Sequence, residues 1–262
     1  MEYYKRLLAD LENKFSHYTD SFFTDDIEFD KNILLKKEHS LLVYQESCQL
    51  AEAENFSPRI ATLIEIASLF HDIGRFEQIL EFNTFVDCKS IDHGDLGGEV
   101  LTKTNMLADL PQKDQQIIIA STKAHNKRTL SENFDKETLL VTKAVRDADK
   151  LDIIRILLKE YAKKDIDKTV ILHLEESDDI SPEVIAYLER KECPNIADFK
   201  TLSDFKLAQL TWIYDLNFKY SLQEFKKRKF DEQIISHLPN TPKINSLCRK
   251  IQDYLEEKIA FK

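Results

Sequence analysis

Along almost its whole length this chain repeats apolar side chains three and four positions apart, and the alternation that marks strands is nearly absent. Such a period gathers apolar groups on one face of a helix, because about 3.6 residues complete a turn. It predicts helices near 2–17, 33–54, 58–73, 94–107, 112–125, 136–161, 182–191, 202–219, 221–237 and 243–260. Pro58 and Pro182 stand where a first helical turn tolerates the missing N–H, and Pro111 and Pro239 stand in breaks. Only "KTVILHLEE" (168–176) reads as a short strand or an extended connection. The expected class is all-α.

Glycine is scarce, as a helical protein requires, and all four glycines lie at Gly74, Gly94, Gly97 and Gly98. Their confinement to one stretch points to sharp turns and close backbone approach there. Gly74 is placed to end the 58–73 helix.

A net charge of −10 sets a negative average surface against any phosphate backbone, which argues against a general nucleic-acid binder. A small anionic substrate stays possible if positive charge is concentrated at its site. No apolar run approaches the roughly 20 residues of a membrane helix. The opening "MEYYKRLLADLENKF" mixes charged and apolar residues at helical spacing, unlike a signal peptide. Cys48, Cys88, Cys193 and Cys248 are scattered and form no CxxC pair, which fits a reducing cytoplasm.

Polar residues interrupt the apolar faces at a few places. In "SPRIATLIEIASLFHD" (57–72), Ile60, Ile64, Ala67 and His71 continue one stripe, and Asp72 flanks it. That dipeptide alone fits a hydrogen-bonded core histidine beside a solvated aspartate as well as a metal site. His39 lies between Leu35 and Val43 on an inward face, and His125 follows Ile118 and Thr122. His93 precedes a helix whose first turn holds two glycines. His17, His173 and His237 lack such a setting. In "AVRDADKLDIIRILL" (144–158), Asp149 borders the stripe of Val145, Ala148, Leu151 and Ile154. A carboxylate there needs a partner, either Arg146, Lys150 or Arg155, or a metal. Together, four histidines and two aspartates on inward faces can converge in a bundle core, where metal sites are built. Imidazole and carboxylate suit iron, manganese or zinc, and the lack of thiolates argues against a Cys-type zinc site.

The order His39, His71-Asp72, His93, His125, Asp149 resembles the H…HD…H…H…D signature of the two-metal branch of the HD-domain superfamily of metal-dependent phosphohydrolases. The resemblance covers about residues 33–160, and the GYP tripeptide of one branch is absent, since "IGRFEQ" follows the HD pair. It implies an HD-domain helical bundle with additional C-terminal helices packed on it. The expected organisation is one all-helical domain over 1–262, with an HD core of about 33–160 and an extension of about 161–262. By this resemblance His39, His71, Asp72 and Asp149 hold one metal, and Asp72 bridges to a second held by His93 and His125. The cofactor is one or two divalent ions among iron, manganese, magnesium, zinc, cobalt and nickel. Such ions acidify a water for attack on phosphorus.

Arg75, Lys123, Lys127, Arg146 and Lys150 flank these residues and supply candidate cations for a phosphate, Arg75 through its two-pronged guanidinium. Asp72, Arg75 and Lys150 are the expected catalytic residues. Asp92, Asp95, Asp147 and Asp152 are carboxylates near enough in sequence to orient water or accept a proton. The stripe Trp212, Tyr214, Phe218 and Tyr220 reads as packing, and "FKKRKF" (225–230) as a solvated face. The expected activity is hydrolysis of a phosphomonoester or phosphodiester of a small compound, a nucleotide foremost. The partner is that substrate, with no nucleic-acid polymer and no membrane. Two other classes fit the same pattern: a di-iron oxygenase, whose ligand set it also resembles, and a non-catalytic metal- or nucleotide-binding sensor.

Overall fold

The computed structural model describes residues 2–261, and every regular element among them is helical. The chain resolves into two compact units that divide after Asp152. The first contains α1 (Glu2–Asp20), α2 (Ile27–Ala53), α3 (Pro58–Phe70), α4 (Gly74–Phe82), α5 (His93–Thr104), α6 (Gln112–Ala124) and the start of α7 (Lys136–Tyr161). The second holds the end of α7, then α8 (Pro182–Glu189), α9 (Leu202–Leu210), α10 (Lys219–Lys227), α11 (Phe230–Ser236) and α12 (Pro242–Phe261). Among the described residues no helix is long and apolar enough to cross a membrane.

In the first unit α3 is the central element, packing on α1, α2 and α6. Its sequence explains this: Leu63, Ile64, Ile66, Ala67, Leu69 and Phe70 are all buried, so it is apolar nearly all round. Each large side chain buried there contributes about 1.5–3 kcal/mol. Phe15 meets Phe70 and Phe76 edge to face, at 5.9 and 6.2 Å between ring centroids. Asp26 starts α2 by accepting from the backbone of Glu28 and Phe29, and Asp92 starts α5 by accepting from Asp95 N.

The second unit closes around Leu207, Leu210, Leu222, Phe225, Ile234, Ile251 and Leu255. Thr201 and Asp204 form a reciprocal cap at the start of α9. The buried Asp204 carboxylate also accepts from the backbone N–H and hydroxyl of Ser181, both at 2.7 Å.

Four expectations need correction. Gly74 does not end α3; it opens α4, a helix the periodicity did not predict, because a side chain there would strike the next helix. A Cβ on Gly74 would stand 2.6 Å from Gly97 N, so its absence lets α5 lie against α4. Residues 168–173 form successive turns and no strand, with Leu172 and His173 both left-handed at φ 59° and 58°. The predicted 202–219 helix breaks after Leu210 into a short turn, Thr211–Tyr214, where the Thr211 hydroxyl bonds back to Ala208 O. The predicted 221–237 helix breaks at Lys229, which is left-handed at φ 54°.

Candidate metal centre

Every candidate ligand is delivered by the end or the inner face of a helix in the first unit. His71 and Asp72 follow α3 directly, His125 follows α6, His93 opens α5, and His39 and Asp149 lie on α2 and α7. The last carbonyls of a helix lack intrahelical partners. His71 Nδ1 donates to Ser68 O and His125 Nδ1 to Thr122 O, both at 2.7 Å, so each imidazole caps the helix that carries it. The other two rings are held by carboxylates: His39 Nδ1 by Asp152 Oδ2 and His93 Nδ1 by Asp87 Oδ2, again at 2.7 Å. With every Nδ1 engaged as a donor, all four Nε2 atoms turn inward.

Those inward atoms form two groups. His39 Nε2 and His71 Nε2 are 3.2 Å apart, and Asp149 Oδ1 lies 3.1 and 3.5 Å from them. Asp72 Oδ2 completes this group at 3.6 and 3.7 Å. His93 Nε2 and His125 Nε2 are 3.1 Å apart, with Asp72 Oδ1 at 3.3 and 3.6 Å. The adjacent histidine and aspartate thus have separate tasks: His71 serves one group, while Asp72 lies between both and presents one oxygen to each.

The electrostatics differ between the groups. Burial, then Arg75, pushes His93 down to about 3, so its imidazole is neutral and its Nε2 bears a lone pair. In the second group the lone pair of His93 Nε2 therefore faces the Asp72 carboxylate at close range, an arrangement that a cation stabilises. Burial works against protonation of His39, but bonds to Asp149 and Asp152 prevail and hold it up at about 8. Burial alone would raise the Asp72 carboxyl; Lys36, then His71, keep it well below the usual range. Asp149 is likewise held low against its burial by bonds from His39 and His71. Three overlapping sets, His39–His71–Asp72, His71–His125–Asp149 and Asp72–His93–His125, bring ligand atoms within 4.8 Å of one another. This donor set fits divalent cations.

The flanking cations have varied placements. Arg75 NH1 donates to Gln78 Oε1, Phe85 O and Asp87 Oδ1 at 2.7, 2.7 and 2.9 Å, and its Nε lies 3.5 Å from Asp72 Oδ1. Arg146 is buried and caps the end of α6 through His125 O and Lys127 O. Lys127 pairs with Asp92 and Asp95 at 2.6 and 2.9 Å. Lys123 is half-buried with its stem over Gly98, and Lys150 is half-buried beside Asp149. Asp147 is buried, and Asp152 serves His39.

Sequence reasoning missed three contributors. Lys36 Nζ donates to Asp72 Oδ2 at 2.8 Å; its position one turn before His39 was the available signal. Asp87 opens a single 3-10 turn in the connection between α4 and α5, and the sequence there announced nothing. Asn126 Nδ2, next to His125, donates to Asp87 Oδ2 and Asp92 Oδ1 at 3.2 and 3.0 Å.

Residues 37–154 match the family model of the HD domain, a span that encloses all six clustered residues from His39 to Asp149. No curated protein and no solved structure matches the chain. With the helical fold and the His/Asp cluster in place, this match shows that residues 37–154 form an HD domain, the domain that marks a superfamily of metal-dependent phosphohydrolases.

Proposed function

We propose that this protein is a two-metal phosphohydrolase acting on a small phosphorylated compound of the nucleotide class. The observation that carries the reading is the pairing of inward Nε2 atoms at 3.2 and 3.1 Å on either side of Asp72. His39, His71, Asp72 and Asp149 would hold one ion, and Asp72, His93 and His125 the other. Divalent ions held there lower the pKa of a water toward neutrality and offset the negative charge of phosphate oxygens.

The remaining work falls to the chain's own cations. Lys36 is half-buried, and its ammonium reaches Asp72 at the edge of the cluster, a position suited to a phosphate oxygen. Arg75 holds the neighbouring loop and adds positive charge beside Asp72. Lys150 is the proposed third cation, on the Asp149 side. Both Lys36 and Arg75 lie over the half-buried ring of Phe85, at 5.3 and 5.8 Å from its centroid. An aromatic surface next to phosphate-facing charge supports a nucleotide over a bare phosphoester. Cys48, Cys88, Cys193 and Cys248 are thiols outside any disulfide among the described residues, which supports a reducing compartment, for which the cytoplasm is proposed.

A panel of aryl phosphates, nucleoside phosphates and dinucleotides, incubated with manganese-loaded protein, tests the activity. Release of phosphate or nucleoside monophosphate that is lost in His39→Ala and His125→Ala supports it; no turnover across the panel overturns it. The all-imidazole and carboxylate donor set also suits a di-iron oxygenase. Substrate-dependent oxygen consumption by iron-loaded protein, without phosphate release, would favour that second reading.

A further inference from the structure

The two halves of the cluster stand on different supports. His71 and His125 rest on carbonyls of their own helices, and His39 rests on Asp152 of α7, near Asp149 in sequence. His93 alone depends on a residue of a connecting segment, Asp87, which opens a single 3-10 turn between α4 and α5.

Arg75 and Asn126 each reach Asp87, but one side chain ties Asp87 to both Ser90 and Ile91 of that segment. Gln78 of α4 is fully buried, and both ends of its amide are used. Its Oε1 accepts from Arg75 NH1 at 2.7 Å. Its Nε2 donates toward Asp87 Oδ1, Ser90 Oγ and Ile91 O at 3.0, 2.9 and 2.9 Å. Asp87 in turn presents its other oxygen to His93. A chain of contacts therefore runs from Gln78 through Asp87 to the ring that faces His125. The ligand sets point the same way: the second group has one carboxylate, Asp72, which it shares, while the first adds Asp149.

Building on the two-metal reading, we propose that Gln78 is a positioning residue for the second metal position. That position is the weaker of the two, formed only when residues 83–92 hold Asp87 against His93.

Manganese binding to the full chain, followed by equilibrium dialysis and electron paramagnetic resonance, tests this with Gln78→Leu and Asp87→Asn. Wild type should show a tight and a weaker class of ion. Gln78→Leu should weaken the second class about 10–100-fold while the first stays within about threefold. Asp87→Asn should do the same, and it decides the question alone if Gln78→Leu does not fold. Peptide-mapped alkylation of the exposed Cys88, which adjoins Asp87, should quicken in Gln78→Leu as the segment loosens. Unchanged binding in both variants, or equal weakening of both classes, would overturn the role of Gln78. Wild type that binds fewer than two ions would instead overturn the two-metal reading on which it rests.

Discussion

Lys36 Nζ donates to Asp72 Oδ2 at 2.8 Å, and the same oxygen stands 3.6 Å from His39 Nε2. On the two-metal reading, ammonium and metal compete for one carboxylate oxygen. A lysine displaced from it is then a cation at hand for a phosphate arriving at the cluster. Lys36→Gln should keep its metal, or bind it a few-fold tighter, while kcat/KM for a phosphoester falls by about 10²–10³. Steady-state kinetics with metal analysis on the same sample checks this. Full turnover, or loss of metal together with activity, would remove Lys36 from the chemistry.

The first metal group should be sensitive to pH through His39, which Asp149 and Asp152 hold up at about 8. Below that pH a proton occupies the imidazole, and an ion must displace it. Manganese affinity at the tight class should fall by up to about tenfold per pH unit below about 8, and level off above it. In metal-free protein the sign is opposite. Its folded pKa lies above the ordinary 6.5, so the protonated ring stabilises the fold below that value, and the benefit fades as pH rises through about 8. Calorimetric titration between about pH 6 and about pH 9 separates the two. A flat affinity profile would contradict the assignment of His39.

Metal removal should destabilise the first unit, because metal-free protein leaves the His93 lone pair facing the Asp72 carboxylate. An ion at about 100 times its Kd contributes about 2.7 kcal/mol, which corresponds to a melting shift of about 5–10 °C. Thermal unfolding with and without a chelator measures it. Asp72→Ala should melt at the same temperature in both conditions.

Gly74 and Gly97 let α4 and α5 approach so closely that a Cβ on Gly74 would stand 2.6 Å from Gly97 N. Backbone cannot yield as a flexible side chain does. Gly74→Ala should cost about 1–3 kcal/mol and weaken the second metal class, since α5 begins with His93. Denaturant melts and manganese binding on one preparation test both effects. Unchanged stability would mean that the two helices separate without strain.

The long helices and the six clustered residues were legible in the sequence because each follows from a local rule. Apolar spacing placed His39, His71 and His125 on inward faces, and their order matched a known signature. What stayed hidden depends on contacts between distant segments. Asp87 lies in the connection between α4 and α5, and Gln78 and Arg75 of α4, with Asn126 after α6, hold it against His93. Arg146 had the local look of a phosphate cation, yet the carbonyls of His125 and Lys127 bind it as a cap. α4 escaped because glycine normally ends a helix, whereas Gly74 starts one where packing leaves no room for a side chain.

The claim beneath the rest is that Asp72 joins two cations in one centre. Electron paramagnetic resonance of protein titrated with manganese measures this directly. Two equivalents should give a spin-coupled spectrum, and Asp72→Ala should abolish it. Independent, uncoupled ions that Asp72→Ala leaves unchanged, or no binding at all, would contradict it.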